Sequence, residues 1–137
     1  METTIQQAIN AHQEGRLKEA EQLYRSILEN QPTNLGINNN LSALLYSLGR
    51  FDEAEASYKK VIELKPDYAE SHYNLGNLFY HLGRFDEAEA SFRQSILLKG
   101  DNAGAYNNLG RIYIETGEFE KAIESHQMAI KLEPENL

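Results

Sequence analysis

The chain has 137 residues, the length of one ordinary domain, and its 41% hydrophobic and 25% charged residues exclude a disordered polymer. A formal net charge of −8 argues against nucleic acid or an anionic membrane surface as the main partner, because phosphate binding needs clustered Lys and Arg. The absence of cysteine removes disulfides, thiolate metal sites and Cys nucleophiles, and leaves the redox compartment open.

The N-terminal stretch METTIQQAINAHQEG has neither the basic start nor the apolar run of a signal peptide, and no run approaches transmembrane length, so a cytoplasmic location is expected. Its best apolar spacing is Ile5, Ala8 and Ile9, which predicts a weak or rotated first helix acting as a cap. Gly15 ends it, and a second helix with Leu17, Ala20 and Tyr24 runs toward Pro32. In residues 35–48, Leu41, Leu44, Leu45 and Leu48 fall at i, i+3, i+4 and i+7, one stripe of an amphipathic helix. Gly49 breaks that helix. The next spans about Asp52 to Leu64 with Ala54, Tyr58, Val61 and Ile62 on its apolar side, and Pro66 stops it. Residues 69–82 hold Leu75, Gly76 and Phe79; after Gly83 a helix with Phe85, Ala88 and Phe92 follows, and Gly100 stands where a proline is expected. Residues 103–116 hold Leu109, Gly110 and Tyr113, and beyond Gly117 the last helix carries Ile123, Met128, Ile130 and Leu132 before Pro134.

These elements are copies of one unit. LGRFDEAEAS occurs at Leu48–Ser57 and again at Leu82–Ser91, a step of 34 residues. Gly15, Gly49, Gly83 and Gly117 keep that step, as do Ala20, Ala54, Ala88 and Ala122. Four units (1–34, 35–68, 69–102 and 103–136) fill a single domain, 1–137. Each reads as helix A, a glycine turn, helix B and a short connection. A pair this small cannot bury enough surface alone, so stability comes from stacking.

The pattern resembles the tetratricopeptide repeat family. Leu75, Gly76, Phe79, Gly83, Phe85, Ala88 and Phe92 meet its motif in the third unit, and Leu109, Gly110, Tyr113, Gly117, Phe119, Ala122, Ala129 and Pro134 meet it in the fourth. The resemblance implies an all-α fold, a right-handed α-solenoid of helical hairpins whose A helices line a concave groove. Two departures stand out. The first unit has Gln7 and Ala8 in place of Leu-Gly, and no extra solvating helix follows the last repeat. The chain is therefore expected either to be part of a longer protein or to cover its last helix by self-association.

At about 100° per residue, the side of helix A opposite the core carries Glu70, Tyr73, Asn74, Asn77, Tyr80 and His81 in the third unit. The equivalent sides include Asn39, Asn40 and Tyr46 in the second unit, and Asn107, Asn108 and Arg111 in the fourth. The four A segments hold only 5 of the 34 charged residues, so most of the acidity belongs to a solvated face of the B helices and turns. Gln6, Asn40, Asn74 and Asn108 share one column. Asparagine offers two donors and an acceptor, which suits the C=O and N–H groups of an extended peptide. The arrangement is similar to the asparagine ladder in the repeat domain of O-GlcNAc transferase. The alternative is that these amides bond to neighbouring helices or water, and that the tyrosines are ordinary packing.

The family's carboxylate clamp would need Lys and Asn at Ile5 and Ile9, Asn at Asn40, and Lys and Arg at Glu70 and Asn74, where only Asn40 fits; one repeat along, Asn39, Ala43, Asn74, Gly104 and Asn108 again give one match in five. The four histidines form no metal-ligand pattern, and no phosphate-cradling loop appears, so no metal, cofactor or catalytic residue is expected. Every glycine is assigned to a turn or to close packing. His126, in the column of Tyr24, Tyr58 and Phe92, reads as a core substitution, while His12 and His81 are placed along the groove. Asn40-Leu41-Ser42 fits a glycosylation sequon but is predicted mid-helix. The leading expectation is a protein-interaction module that binds an extended peptide or partner helix, including as the N-terminal recruiting domain of a larger protein. Neither nucleic acid nor membrane insertion is expected. The alternative is structural: end-to-end stacking into a homo-oligomer or filament through the uncapped C-terminal repeat.

Overall fold

The computed structural model describes residues 3–133. Among the described residues eight α-helices follow one another: α1 (Thr4–Gln13), α2 (Leu17–Asn30), α3 (Leu35–Ser47), α4 (Phe51–Leu64), α5 (Ala69–His81), α6 (Phe85–Leu98), α7 (Ala103–Glu115) and α8 (Phe119–Leu132). No strand occurs among the described residues. Odd-numbered helices are the expected A helices and even-numbered ones the B helices. The chain forms two compact units, Met1–Pro66 with α1–α4 and Asp67–Leu137 with α5–α8. Inside each unit the helices pack in chain order, α1 on α2, α2 on α3 and α3 on α4, then α5 on α6, α6 on α7 and α7 on α8.

Local chemistry sets the helix ends. Thr3, Asn34 and Asn102 cap three of the A helices, their side-chain oxygens each accepting a backbone N–H three residues on at 3.1 Å. At the other end Gly49 adopts φ 76°, a left-handed conformation open to glycine at little cost. The Gly49 N–H donates to Tyr46 O and the Arg50 N–H to Leu45 O, both at 3.0 Å, which satisfies the last carbonyls of α3 and reverses the chain. Leu48, expected in the apolar stripe, is instead the C-cap residue of α3 and 37% exposed, because the helix stops before its side chain reaches the core.

The core of each unit lies between A and B helices. Ala20, Ala54, Ala88 and Ala122 are all buried, and the B helices approach closely over them. In the second unit Phe92, fully buried, lies flat on Gly76: a Cβ there would come within 2.8 Å of its ring. The ring of His126 occupies the matching place over Gly110, where a Cβ would meet it at 2.5 Å, although His126 itself is only half-buried.

Two expectations are corrected here. The first helix is not rotated. Ala8 and Ala11 are fully buried at the register positions of Gly76 and Phe79, so α1 keeps the common geometry with smaller side chains. Nor does every glycine serve a turn or a close approach. A Cβ on Gly36, inside α3, would meet only Asn34 Oδ1 at 3.7 Å, an ordinary contact.

Candidate functional site

In the first unit α3 brings Asn39, Asn40 and Tyr46 to its half-buried side. The Asn39 Oδ1 is buried with no hydrogen-bond partner among the described residues, an acceptor held out of water at a cost. Tyr46 meets Phe51 of α4 edge-on, ring centroids 5.7 Å apart, and so braces the hairpin. The neighbouring Asn38, which sequence reasoning passed over, is buried and structural. Its Nδ2 donates to Pro32 O at 3.0 Å and Asn34 O at 2.9 Å, tying down the connection before α3. Ser42 is fully buried and donates to Asn38 O at 2.8 Å, so the sequon lies inside a packed helix.

In the second unit α5 and α7 carry the rest. Asn108 Nδ2 donates to Asn77 Oδ1 at 2.7 Å, linking the two A helices. That bond leaves the Asn77 Nδ2 donors and the Asn108 Oδ1 acceptor unspent, one donor set and one acceptor side by side. Asn74 is half-buried one turn before Asn77. Tyr73 packs on Phe92 at 5.8 Å between centroids, and its hydroxyl sits where a Cβ on Gly104 would be only 2.6 Å away. The glycine in α7 therefore makes room for a phenol from α5. Tyr80 leans on Phe85 at 5.6 Å, repeating the Tyr46–Phe51 contact. Asn107 turns the other way, its Oδ1 3.3 Å from His126 Nδ1. His81 and Arg111 are exposed.

The groups therefore sort by neighbour. Asn74, Asn77 and Asn108 form an amide-bearing face in the second unit and Asn39 with Asn40 one in the first. Tyr46, Tyr73 and Tyr80 are committed to packing along much of their rings. His12, expected along the groove, has its Nδ1 2.8 Å from the hydroxyl of buried Tyr24, edge to face, and so joins α1 to α2.

Charge is arranged on the B helices. Arg50 donates to Glu21 Oε1 at 2.6 Å and Glu53 Oε2 at 2.6 Å, and Arg25 donates to Glu21 Oε2 at 2.9 Å. The Arg50 hydrogen bond, with Arg25 adding to it, holds the Glu21 carboxyl below the usual carboxylate range against the opposing effect of burial. In the second unit burial pushes the Tyr113 phenol up. No cluster of three or more His, Asp or Glu side chains able to hold a metal occurs among the described residues, and no described helix is long and apolar enough to cross a membrane.

Three family models match: a TPR repeat over residues 43–83, and two tetratricopeptide repeat models over 67–134 and 11–57. Among solved structures, a crystal structure of MamA is 28% identical with a TM-score of 0.87, covering 93% of this chain and 74% of that one. The "41-end" form of MamA from Desulfovibrio magneticus RS-1 is 22% identical with a TM-score of 0.90, covering 97% of this chain and 75% of that one, a likeness of fold. No curated protein matches the chain.

Proposed function

The chain belongs to the tetratricopeptide repeat family, an all-α solenoid of helical hairpins that serves as a protein-interaction scaffold, and on that premise we infer that it holds an extended peptide by its main chain on the amide faces of its A helices. The observation that carries this reading is the Asn108–Asn77 bond at 2.7 Å. Two asparagines that orient each other present a donor and an acceptor at fixed spacing, as one peptide group requires. Asn40 and Asn74 support it, since neither spends its amide on another described protein group. On the second unit Tyr73, Tyr80, His81 and Arg111 would border the peptide; on the first, Asn39 and Tyr46 would border a stretch held there. In this reading the protein recruits rather than transforms its ligand.

A displayed library of random extended peptides tests it. The Asn74→Ala/Asn77→Ala/Asn108→Ala variant, matched to wild type in helicity, should lose peptides of many sequences together, and N-methylation of a captured peptide's amides should weaken it in the same way. Capture by the variant equal to wild type would overturn the reading. Asn40→Ala, made separately, reports whether the first unit contributes.

A second reading, self-association, is favoured by one feature. Phe119, Ile123 and Ile130 on α8 are 62%, 57% and 45% exposed. An apolar face of this kind is a natural contact for a second copy, and solution mass against concentration tests it.

A further inference from the structure

The B helices of the second unit enclose a cleft unrelated to the amide face. It lies between α6 and α8 over α7, with a volume of about 420 Å³, within the range of about 300–1,000 Å³ usual for ligand sites. At one end Arg93 donates to the Tyr113 hydroxyl, and the Lys121 ammonium lies 5.6 Å from the centre of the Tyr113 ring. At the other, Leu97 (79% exposed) and Met128 (37% exposed) flank buried Leu109. Glu124 also lines the cleft.

The repeat register shows how unusual this is. The first unit has Arg25 and Glu53 at the positions of Arg93 and Lys121, and there the guanidinium reaches the carboxylate at 3.7 Å, an ion pair from α2 to α4. In the second unit both positions are cations, so no such pair can form. The apolar end changes as well: Glu29 and Lys60 of the first unit become Leu97 and Met128. Arg93 keeps a carboxylate on its own helix, Glu89 at 3.1 Å, and Lys121 keeps Glu118 at 2.8 Å. Both cations are more than half exposed, and exposed ion pairs of this kind are weak enough to share with an incoming anion.

We propose that the α6–α8 cleft is a second docking site, which takes a segment of a partner protein carrying a carboxylate followed by bulky apolar side chains. The carboxylate lies between Arg93 and Lys121, taking with Arg93 the part that Glu53 plays with Arg25 in the first unit. The apolar side chains cover Leu97, Leu109 and Met128, removing exposed hydrocarbon from water. The cations fix direction and position along the cleft, and the apolar end supplies most of the affinity.

The test uses the full chain and a set of labelled hexapeptides in one Gly-Ser frame, with Glu or Gln followed by Leu-Phe or Ser-Ser. The peptide with Glu followed by Leu-Phe should bind best, its Gln counterpart about tenfold more weakly, and Lys121→Glu should cost about tenfold at unchanged helicity. Leu97→Glu, at the exposed rim, attacks the apolar end and should weaken the same peptide even if Lys121→Glu perturbs folding. Asn74→Ala/Asn108→Ala should leave this binding unchanged, which keeps it distinct from the A-helix site. The proposal is overturned if no peptide of the set saturates by about 1 mM, or if its binding ignores Lys121 and Leu97. Dodecanoate binding in place of the peptides would overturn it too, and so would a concentration-dependent mass abolished by Lys121→Glu, which would assign the cleft to a second copy.

Discussion

Arg50, the N-cap residue of α4, donates to Glu21 of α2 at 2.6 Å, joining the B helices of consecutive hairpins across the first unit. Glu21 is the least exposed acidic partner in this network, its side chain 16% accessible, and Arg50 is 38% accessible. The pair is thus partly shielded, and Arg50 also holds Glu53. A double-mutant cycle of Glu21→Gln and Arg50→Gln should give a small favourable coupling by urea denaturation. A value indistinguishable from zero would mean that the stack gains nothing from this link.

The same network predicts the acid limb of stability. Glu21, Glu53 and Glu118 are each held below the ordinary carboxyl value of 4.5, Glu21 and Glu53 first by Arg50 and Glu118 first by Lys121. A depressed carboxyl binds fewer protons folded than unfolded, so its stabilisation is present above the ordinary value and lost as pH falls through the folded one. Tm should stay level down to about pH 5 and then fall. In Glu21→Gln that fall should be shallower. An equally steep limb in the variant would place the titration elsewhere.

Glycines separate positions where space is filled from positions where it is open. At Gly76 a Cβ would press on Phe92, which is fully buried and cannot swing aside, so Gly76→Ala should cost about 1–3 kcal/mol. At Gly36 in the first turn of α3 the same change meets only ordinary contact, and Gly36→Ala should gain about 0.4–1 kcal/mol from lost unfolded-state entropy. Opposite signs in thermal denaturation check both. A stabilised Gly76→Ala would mean that the phenyl ring moves after all.

The architecture was legible because stacking reuses one solution. A residue type recurring every 34 positions, such as Ala20, Ala54, Ala88 and Ala122, reports a shared packing requirement. Side-chain commitments were less legible. Periodicity puts Asn77, Asn107 and Asn108 on exposed turns of their helices. It does not say that Asn77 and Asn108 bond to each other, or that Asn107 turns to His126. Those choices depend on the neighbouring helix. The structural role of Asn38 was hidden for a different reason: its partners are carbonyls of the preceding connection and cap, which leave no mark on an apolar pattern. The α6–α8 cleft did have a signal, the replacement of Glu53 by Lys121 in register, visible only when departures from the repeat are read as closely as its agreements.

One more departure bears on assembly. Ile123 stands in the column of Glu21, Glu55 and Glu89, and Glu118 stands in the column of Arg16, Arg50 and Arg84. In the first unit that Glu column accepts from the next hairpin's Arg, as Glu21 does from Arg50. On α8 an isoleucine, 57% exposed, offers no acceptor, and with Phe119 and Ile130 it makes an apolar stripe instead. A contact formed there is held by hydrocarbon burial, not by an Arg–Glu link. Ile123→Glu restores the residue of the column and should shift wild-type oligomers to monomer, with little change in the fold because the position is on the surface. Sedimentation across concentrations reads this directly. A wild-type chain that stays monomeric throughout would exclude self-association by α8, and oligomers that persist in the variant would move the contact to another surface.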